Sequence, residues 1–62
     1  MSINVGDRKT LNRPTFLHEG IFVIKGTPVK ILEVSAEALT VEFMDKEGFP
    51  HQLKDVKADE LS

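Results

Sequence analysis

The clearest alternation of apolar and polar positions lies in the stretch "LTVEFMDKEGFPHQL", residues 39 to 53. In its first five residues the apolar side chains occupy every second position, so they share one face of an extended chain. These side chains are Leu39, Val41 and Phe43. The pattern predicts a half-buried strand whose apolar face lies in the core.

A turn and a second alternating segment follow this strand. Asp45 stands at a favourable first turn position, and Gly48 stands where a left-handed residue closes a four-residue connection. The segment "FPHQL" then predicts a strand with Phe49, His51 and Leu53 on one face. Its proline restricts this strand to an edge or an offset position, so the whole stretch is predicted to form a hairpin.

A short apolar run, "IFVI" at residues 21–24, is bounded by Gly20 and by the turn segment "KGTP". Its β-branched and aromatic residues favour a strand. Two arrangements remain open from the sequence: both faces of the strand are covered, or Phe22 is displayed outward.

The segment "VKILEV", residues 29–34, predicts a central strand with Val29 and Ile31 on one face. Leu32 interrupts the alternation, which indicates a bulge or partial burial of the other face. Residues 35–38, "SAEA", are then best explained as the loop that joins this strand to the next.

The two ends of the chain carry weaker signals. Residues 1–14 hold few apolar side chains and are expected to form a flexible or loosely packed arm, which leaves residues 15–62 as one domain. An edge strand is predicted near Thr15 to Leu17. In the tail "DVKADELS" the spacing predicts a short strand and then a 3₁₀ turn, with Leu61 closing one end of the fold.

Four or five short strands with turn signals between them, and no segment at helical period, predict an all-β fold. A small closed or nearly closed antiparallel sheet is expected, because an open hairpin this short is marginal in water. A three-stranded sheet with one helical turn is the alternative.

The spacing of several short motifs resembles SH3-like small β-barrels, in particular a bacterial family of small domains whose function is not assigned. The similar motifs are Lys25 and Gly26, Glu33 and Val34, the run Val41, Glu42, Phe43, Asp45 and Gly48, then Leu53, Asp59 and Leu61. Thr27, Pro28 and Val29 stand where the family has a glycine and valine pair. The resemblance covers about residues 22 to 61. It implies an antiparallel barrel with a 3₁₀ turn near the C-terminus, and it implies no catalytic residue.

The composition indicates how the fold is stabilised and in which compartment the protein is expected. With 62 residues, no cysteine and a net charge of −2, the chain must be stabilised by one small core without disulfides. The start "MSINVGDRKTL" lacks the pattern of a signal segment, and no apolar run is long enough to span a membrane. A soluble, cytoplasmic protein of a bacterium or phage is expected.

The sequence offers little for catalysis. Its four glycines are isolated, so no phosphate-binding loop is predicted, and no short motif joins His18 or His51 to a nucleophilic serine. A metal site built from these histidines with Glu19 or Asp45 has no support from the spacing. The chain is therefore expected to be no enzyme and to hold no metal or cofactor.

The favoured function is that of a non-catalytic protein-binding or regulatory module, because small barrels bind other proteins through their loops and strand edges. The predicted contact residues are Phe16, Phe22, Met44, Phe49 and His51, and pairing of two copies through this surface is a variant of the same prediction. The alternative is an accessory nucleic-acid-binding barrel that uses the basic N-terminal half. Its predicted contact residues are Arg8, Lys9, Arg13, Lys25 and Lys30. No membrane partner is expected.

Overall fold

The computed structural model describes residues 3–62. It contains six strands and one short 3₁₀ turn, which confirms the predicted all-β class. The elements are β1 (Arg8–Thr10), β2 (Phe16–His18), β3 (Ile21–Val23), β4 (Pro28–Val34), β5 (Leu39–Met44), β6 (Pro50–Val56) and the 3₁₀ turn (Ala58–Glu60).

The strands form two antiparallel sheets. The larger sheet has the order β1-β4-β5-β6, and the smaller consists of the β2–β3 hairpin. Within residues 3–62 no strand pairing joins the two sheets, so the expected closure into a barrel is not present as a continuous ladder. A single bridge between Leu11 and Leu61 brings the C-terminal segment alongside the continuation of β1.

The core lies on one face of the larger sheet, where the alternation of β4, β5 and β6 places their apolar residues. Its buried members are Leu11, Val23, Val29, Ile31, Leu39, Val41, Phe43, Leu53 and Val56. The predicted inward face of β5 is confirmed, since Leu39, Val41 and Phe43 are all buried.

The predicted interruption in β4 is present at Leu32. The register with β5 shifts between Ile31 and Glu33, and Leu32 itself is half-buried. Val29 and Ile31 precede this shift and face the core by ordinary alternation. The bulge then inserts one extra residue in β4. A second shift, between Leu39 and Val41, lies in the pairing with β6.

The turn between β5 and β6 has the predicted chemistry, but Phe49 does not take its predicted place. Gly48 adopts a left-handed φ of 86°, and its N–H donates to the Asp45 carbonyl at 3.0 Å. The carbonyl of Phe49 accepts the N–H of Asp45 at 3.0 Å and closes the turn, and β6 begins at Pro50. Phe49 therefore stays in the connection and is 59% exposed, whereas His51 faces Phe43 across the sheet.

The β2–β3 hairpin turns through two residues that both have positive φ, Glu19 at 52° and Gly20 at 79°. This is a type I′ turn, whose twist matches that of the flanking strands. Of the two arrangements left open for residues 21–24, the structure has the second: Phe22 points outward, and Val23 is buried. The edge strand predicted near residues 15–17 is β2.

The first residues of the chain take part in the larger sheet. β1 pairs with β4, with Lys9 opposite Val29, and Leu11 is buried in the core. These residues lie in the segment that was expected to form a loosely packed arm, of which residues 1 and 2 fall outside the described range. The boundary between an arm and a domain stays a prediction.

The C-terminal segment follows the predicted order of strand, 3₁₀ turn and apolar anchor. β6 ends at the buried Val56, and Leu61 packs against the core beyond the 3₁₀ turn. In residues 3–62, helical structure is too short and polar to cross a membrane.

Candidate partner-binding groove

A groove of about 630 Å³ runs beside the outer edge of β3. One wall is the chain from Gly20 to Ile24 with Thr27, and the other is the end of β5 with the first residues of the following turn. We call this feature the β3 groove. Its lining residues are Gly20, Ile21, Phe22, Val23, Ile24, Thr27, Phe43, Met44, Asp45, Lys46 and Glu47.

Three large apolar side chains of the groove are mostly open to solvent. Phe22 is 74% exposed, Ile24 is 61% exposed and Met44 is 57% exposed. The strand geometry explains the first, because the inner face of the hairpin is occupied by Ile21 and Val23 and the alternate residue must point outward. Met44 lies at the end of β5, beyond the last buried residue of that strand. Three of the seven exposed large apolar side chains among the described residues thus line this one groove; the others are Val5, Leu17, Val34 and Phe49.

The buried side of the groove is fixed by an aromatic cluster around Phe43. The imidazole of His51 stacks on the Phe43 ring with centroids 5.5 Å apart, and the His18 ring meets Phe43 edge-on at 6.1 Å. His18 Nε2 also lies 3.0 Å from the carbonyl oxygen of Gln52, so the β2–β3 hairpin is attached to β6. His18 therefore connects the two sheets beside the groove, whereas His51 packs on Phe43 within the larger sheet.

The charged end of the groove is organised by Asp45. One carboxylate oxygen accepts hydrogen bonds from the backbone N–H groups of Glu47 and Phe49, each at 2.9 Å. The other lies 2.9 Å from Nε2 of His51. The hydrogen bond from His51 and those from the two N–H groups lower the pKa of Asp45. With Lys46 and Glu47 beside it, this end carries two acidic side chains and one basic one.

The structure brings together only part of the predicted protein-binding set. Phe22 and Met44 line the β3 groove, whereas Phe49 lies in the turn outside its lining and His51 is half-buried against Phe43. Phe16 is half-buried beneath the guanidinium of Arg13, whose carbon lies 4.7 Å from the ring centroid. The contact set as a whole stays a prediction.

Sequence reasoning missed Ile24 and Thr27 as lining residues. The available signal was that Ile24 continues the outward position of Phe22 two residues later, immediately before a turn. That turn is held by the Thr27 hydroxyl, which donates to the Ile24 carbonyl at 2.6 Å.

The five basic residues predicted to bind nucleic acid lie at separate places in the structure. Arg8 and Lys30 are direct cross-strand partners on exposed positions, and both line a smaller groove of about 250 Å³ together with Glu42. Lys25 is exposed in the turn after β3, and Lys9 is half-buried. Arg13 is taken up by an ion pair with Glu60. Arg8 and Lys30 are therefore the two members that the structure places side by side.

Arg13 and Glu60 tie the start of the chain to the 3₁₀ turn. The hydrogen bond from the guanidinium, followed by the N–H of Lys57, lowers the pKa of Glu60 to about 2. The carboxylate in turn raises the pKa of Arg13.

No group of three His, Asp or Glu side chains within residues 3–62 is arranged to hold a metal ion. The Asp45–His51 pair has a clear structural role, since it joins β6 to the turn that precedes it.

Comparison with known proteins identifies no relative of this chain. No family model matches the chain, and no curated protein or solved structure matches it. The SH3-like resemblance therefore stays a prediction that rests on the motifs themselves, and the function has to be argued from the geometry of the β3 groove.

Proposed function

We propose that this chain is a non-catalytic protein-binding module that engages its partner through the β3 groove. The observation that carries the proposal is the convergence of Phe22, Ile24 and Met44, all more than half exposed, on one concave surface. Small proteins rarely leave large apolar side chains grouped in the open unless the surface meets another molecule.

The energetics are adequate for a specific contact. Complete burial of one such side chain contributes about 1.5 to 3 kcal/mol. Burial of most of three therefore offsets a large part of the cost of association, which is about 4 kcal/mol or more. The aromatic cluster around Phe43 keeps the walls of the groove in place before a partner arrives, so little ordering is required on binding.

We also propose that the two sheets form an SH3-like barrel. Three features support this: the strand order β1-β4-β5-β6, a long excursion between β1 and β4 that carries the β2–β3 hairpin, and a 3₁₀ turn before a segment that bridges back to Leu11.

A second candidate function is supported by Arg8 and Lys30. Like charges directly opposite each other destabilise a strand pair, so their presence on neighbouring exposed positions favours an anionic ligand such as a nucleic-acid backbone. Glu42, which faces Lys30 from the other side, weakens this basic surface.

A capture experiment with matched variants tests the proposal. Phe22→Ser removes an aromatic side chain of the groove, and Phe49→Ser removes an exposed aromatic side chain outside it. Both are compared with the wild type as bait in a lysate of the producing cells, by quantitative mass spectrometry. We expect proteins that are lost with Phe22→Ser and kept with Phe49→Ser. Equal capture by both variants would contradict the proposed site.

Salt dependence and one further variant separate the two candidate functions. Phosphate contacts weaken steeply as salt rises, whereas an apolar interface changes little. We expect the Phe22-dependent capture to persist between about 50 and 300 mM salt and to survive the double change Arg8→Gln, Lys30→Gln. Capture of nucleic acid that disappears with the double change would favour the second candidate instead.

A further inference from the structure

The open edge of β3 faces the same groove as the exposed apolar side chains. β3 pairs with β2 on one side, and among the described residues it has no strand partner on the other. In a hairpin with a two-residue turn, the residues next to the turn, His18 and Ile21, exchange both backbone hydrogen bonds. The next pair, Leu17 and Phe22, is then a non-hydrogen-bonded pair.

This register sets the direction of the Phe22 backbone. At a non-hydrogen-bonded pair, the N–H and C=O groups point away from the partner strand. Those of Phe22 therefore point from β3 toward its open edge, where the groove lies. A donor and an acceptor spaced as in a sheet suit the backbone of another extended chain.

The charge of the groove restricts the occupant further, while its volume of about 630 Å³, open to solvent, admits a short extended segment. Its charged end carries Asp45 and Glu47 against Lys46, which favours a basic residue in the occupant.

We infer that the β3 groove binds an extended peptide segment of a partner protein, which adds as a strand to the edge of β3 and carries apolar side chains at alternate positions and a basic residue at an end. The inference rests on the proposed protein-binding function and specifies its partner. Backbone hydrogen bonds to Phe22 supply the pairing, and contacts with Phe22, Ile24 and Met44 supply the selectivity for apolar residues.

The test uses synthetic peptides, titrated into the ¹⁵N-labelled full chain. The parent peptide has six residues, blocked ends, valine and threonine in alternation in its middle, and lysine at both ends. Two derivatives carry N-methyl groups at residues two and four or at residues three and five. Because only alternate N–H groups of a strand face one neighbour, one derivative is blocked toward β3 and the other is not.

We expect the parent peptide to bind saturably, to slow hydrogen exchange of the Phe22 amide at least tenfold, and to lose at least tenfold in affinity in only one N-methyl derivative. A peptide with glutamate at both ends should bind several-fold more weakly at low salt. Equal binding of both derivatives, or binding that leaves Phe22 exchange unchanged, would overturn strand addition. So would the absence of binding by the parent peptide.

Matched protein variants provide a second line of evidence. Phe22→Pro removes the N–H that faces the groove together with the ring, Phe22→Ala removes the ring alone, and Leu17→Pro removes the corresponding outward N–H of β2 at the same level of the hairpin. We expect Phe22→Ala to weaken binding of the peptide and only Phe22→Pro to lose it. If both proline variants unfold, the two N-methyl derivatives decide the question with the wild type alone.

Two outcomes separate this inference from the proposed function. Groove-dependent capture from lysate together with indifference to N-methylation would retain a protein-binding groove and remove the strand-addition mode. Concentration-dependent changes at Phe22 in the absence of peptide, with a dimer in sedimentation, would assign the edge to a second copy of the chain and overturn the peptide as its occupant.

Discussion

Nε2 of His51 lies 2.9 Å from Oδ2 of Asp45, although the two residues are separated by the whole turn between β5 and β6. The contact closes the hairpin with side chains in addition to the backbone ladder. It also fixes the imidazole where it stacks on Phe43. One carboxylate thus organises both the charged end of the β3 groove and the ring that supports its buried side.

Replacement of Asp45 by alanine should lower the melting temperature and loosen the groove. The change leaves the N–H groups of Glu47 and Phe49 without their side-chain acceptor and releases His51. Thermal unfolding followed by circular dichroism measures the effect. Glu47→Ala, in the same turn, is the control and should melt close to the wild type. Equal losses in the two variants would show that the Asp45 contacts contribute nothing of their own.

Acid should destabilise the fold through Asp45 and Glu60. The pKa of each carboxyl is lowered in the folded chain, Asp45 chiefly by His51 and Glu60, to about 2, chiefly by Arg13. A carboxyl with a lowered folded-state pKa stabilises the fold fully above its unfolded-state pKa, which is about 4, and loses that contribution as pH falls through the folded-state value. We expect melting temperatures to fall between about pH 5 and pH 2.

Glu60→Gln should flatten this acid dependence and lower the melting temperature at pH 7. The same measurement on Glu33→Gln, an exposed glutamate of β4, should retain the slope of the wild type. A Glu60→Gln curve parallel to that of the wild type would contradict the assigned role.

The Arg13–Glu60 pair should show measurable coupling in a double-mutant cycle. Both side chains are about a quarter exposed, and the Arg13 guanidinium also lies over Phe16. Exposed ion pairs contribute about 0.2 to 1 kcal/mol, so we expect a coupling energy near the upper end of that range. Urea unfolding of Arg13→Ala, Glu60→Gln and the double variant gives the value. Strict additivity would mean that Arg13 acts through Phe16 alone.

Phe43→Ala should remove most of the stability of the domain. The ring is buried and is contacted by both histidines, and loss of a buried phenylalanine costs about 3 to 5 kcal/mol. A core of this size supplies about the same amount in total. Phe49→Ala removes an exposed ring and should change stability by about 0.5 kcal/mol or less. A cooperative melt of Phe43→Ala near the wild-type temperature would show that the core is assigned wrongly.

Glu19→Asn should stabilise the β2–β3 hairpin. Glu19 has a φ of 52°, in the left-handed region that costs most side chains about 1 to 2 kcal/mol. Asparagine adopts this conformation readily, and Asn-Gly is a preferred type I′ turn. We expect a gain of about 1 kcal/mol in urea unfolding. Glu37→Asn, in the β4–β5 loop, is the charge-matched control and should gain nothing.

Much of the fold was predictable because its strands and turns are specified by residues that are close together in the sequence. Alternation identified β5 with its inward residues, a break in alternation identified the bulge at Leu32, and turn chemistry identified the left-handed Gly48. The main difference lies at Phe49. Period-two counting placed it on the face of His51 and Leu53, but its backbone closes the turn with Asp45 and its ring is 59% exposed.

The candidate site was harder to predict, because its parts are distant in the chain. Ile24 lies on one wall of the groove and Met44 on the other, and nothing in either local segment specifies the other. Burial of Leu11 depends likewise on the partner strand and on Leu61, since the residues around it are polar. Which distant residues lie next to each other can be read only from the folded structure.

The bridge between Leu11 and Leu61 has a consequence for the rate of folding. Its two residues are separated by most of the chain, so closing that loop costs more entropy than closing the short hairpins β4–β5 and β5–β6. We expect the hairpins to be formed in the transition state and the bridge to form late. Leu11→Ala should then accelerate unfolding while leaving the refolding rate almost unchanged, which stopped-flow chevron kinetics would measure. The bridge between the two ends of the fold would then slow unfolding without affecting the rate of folding.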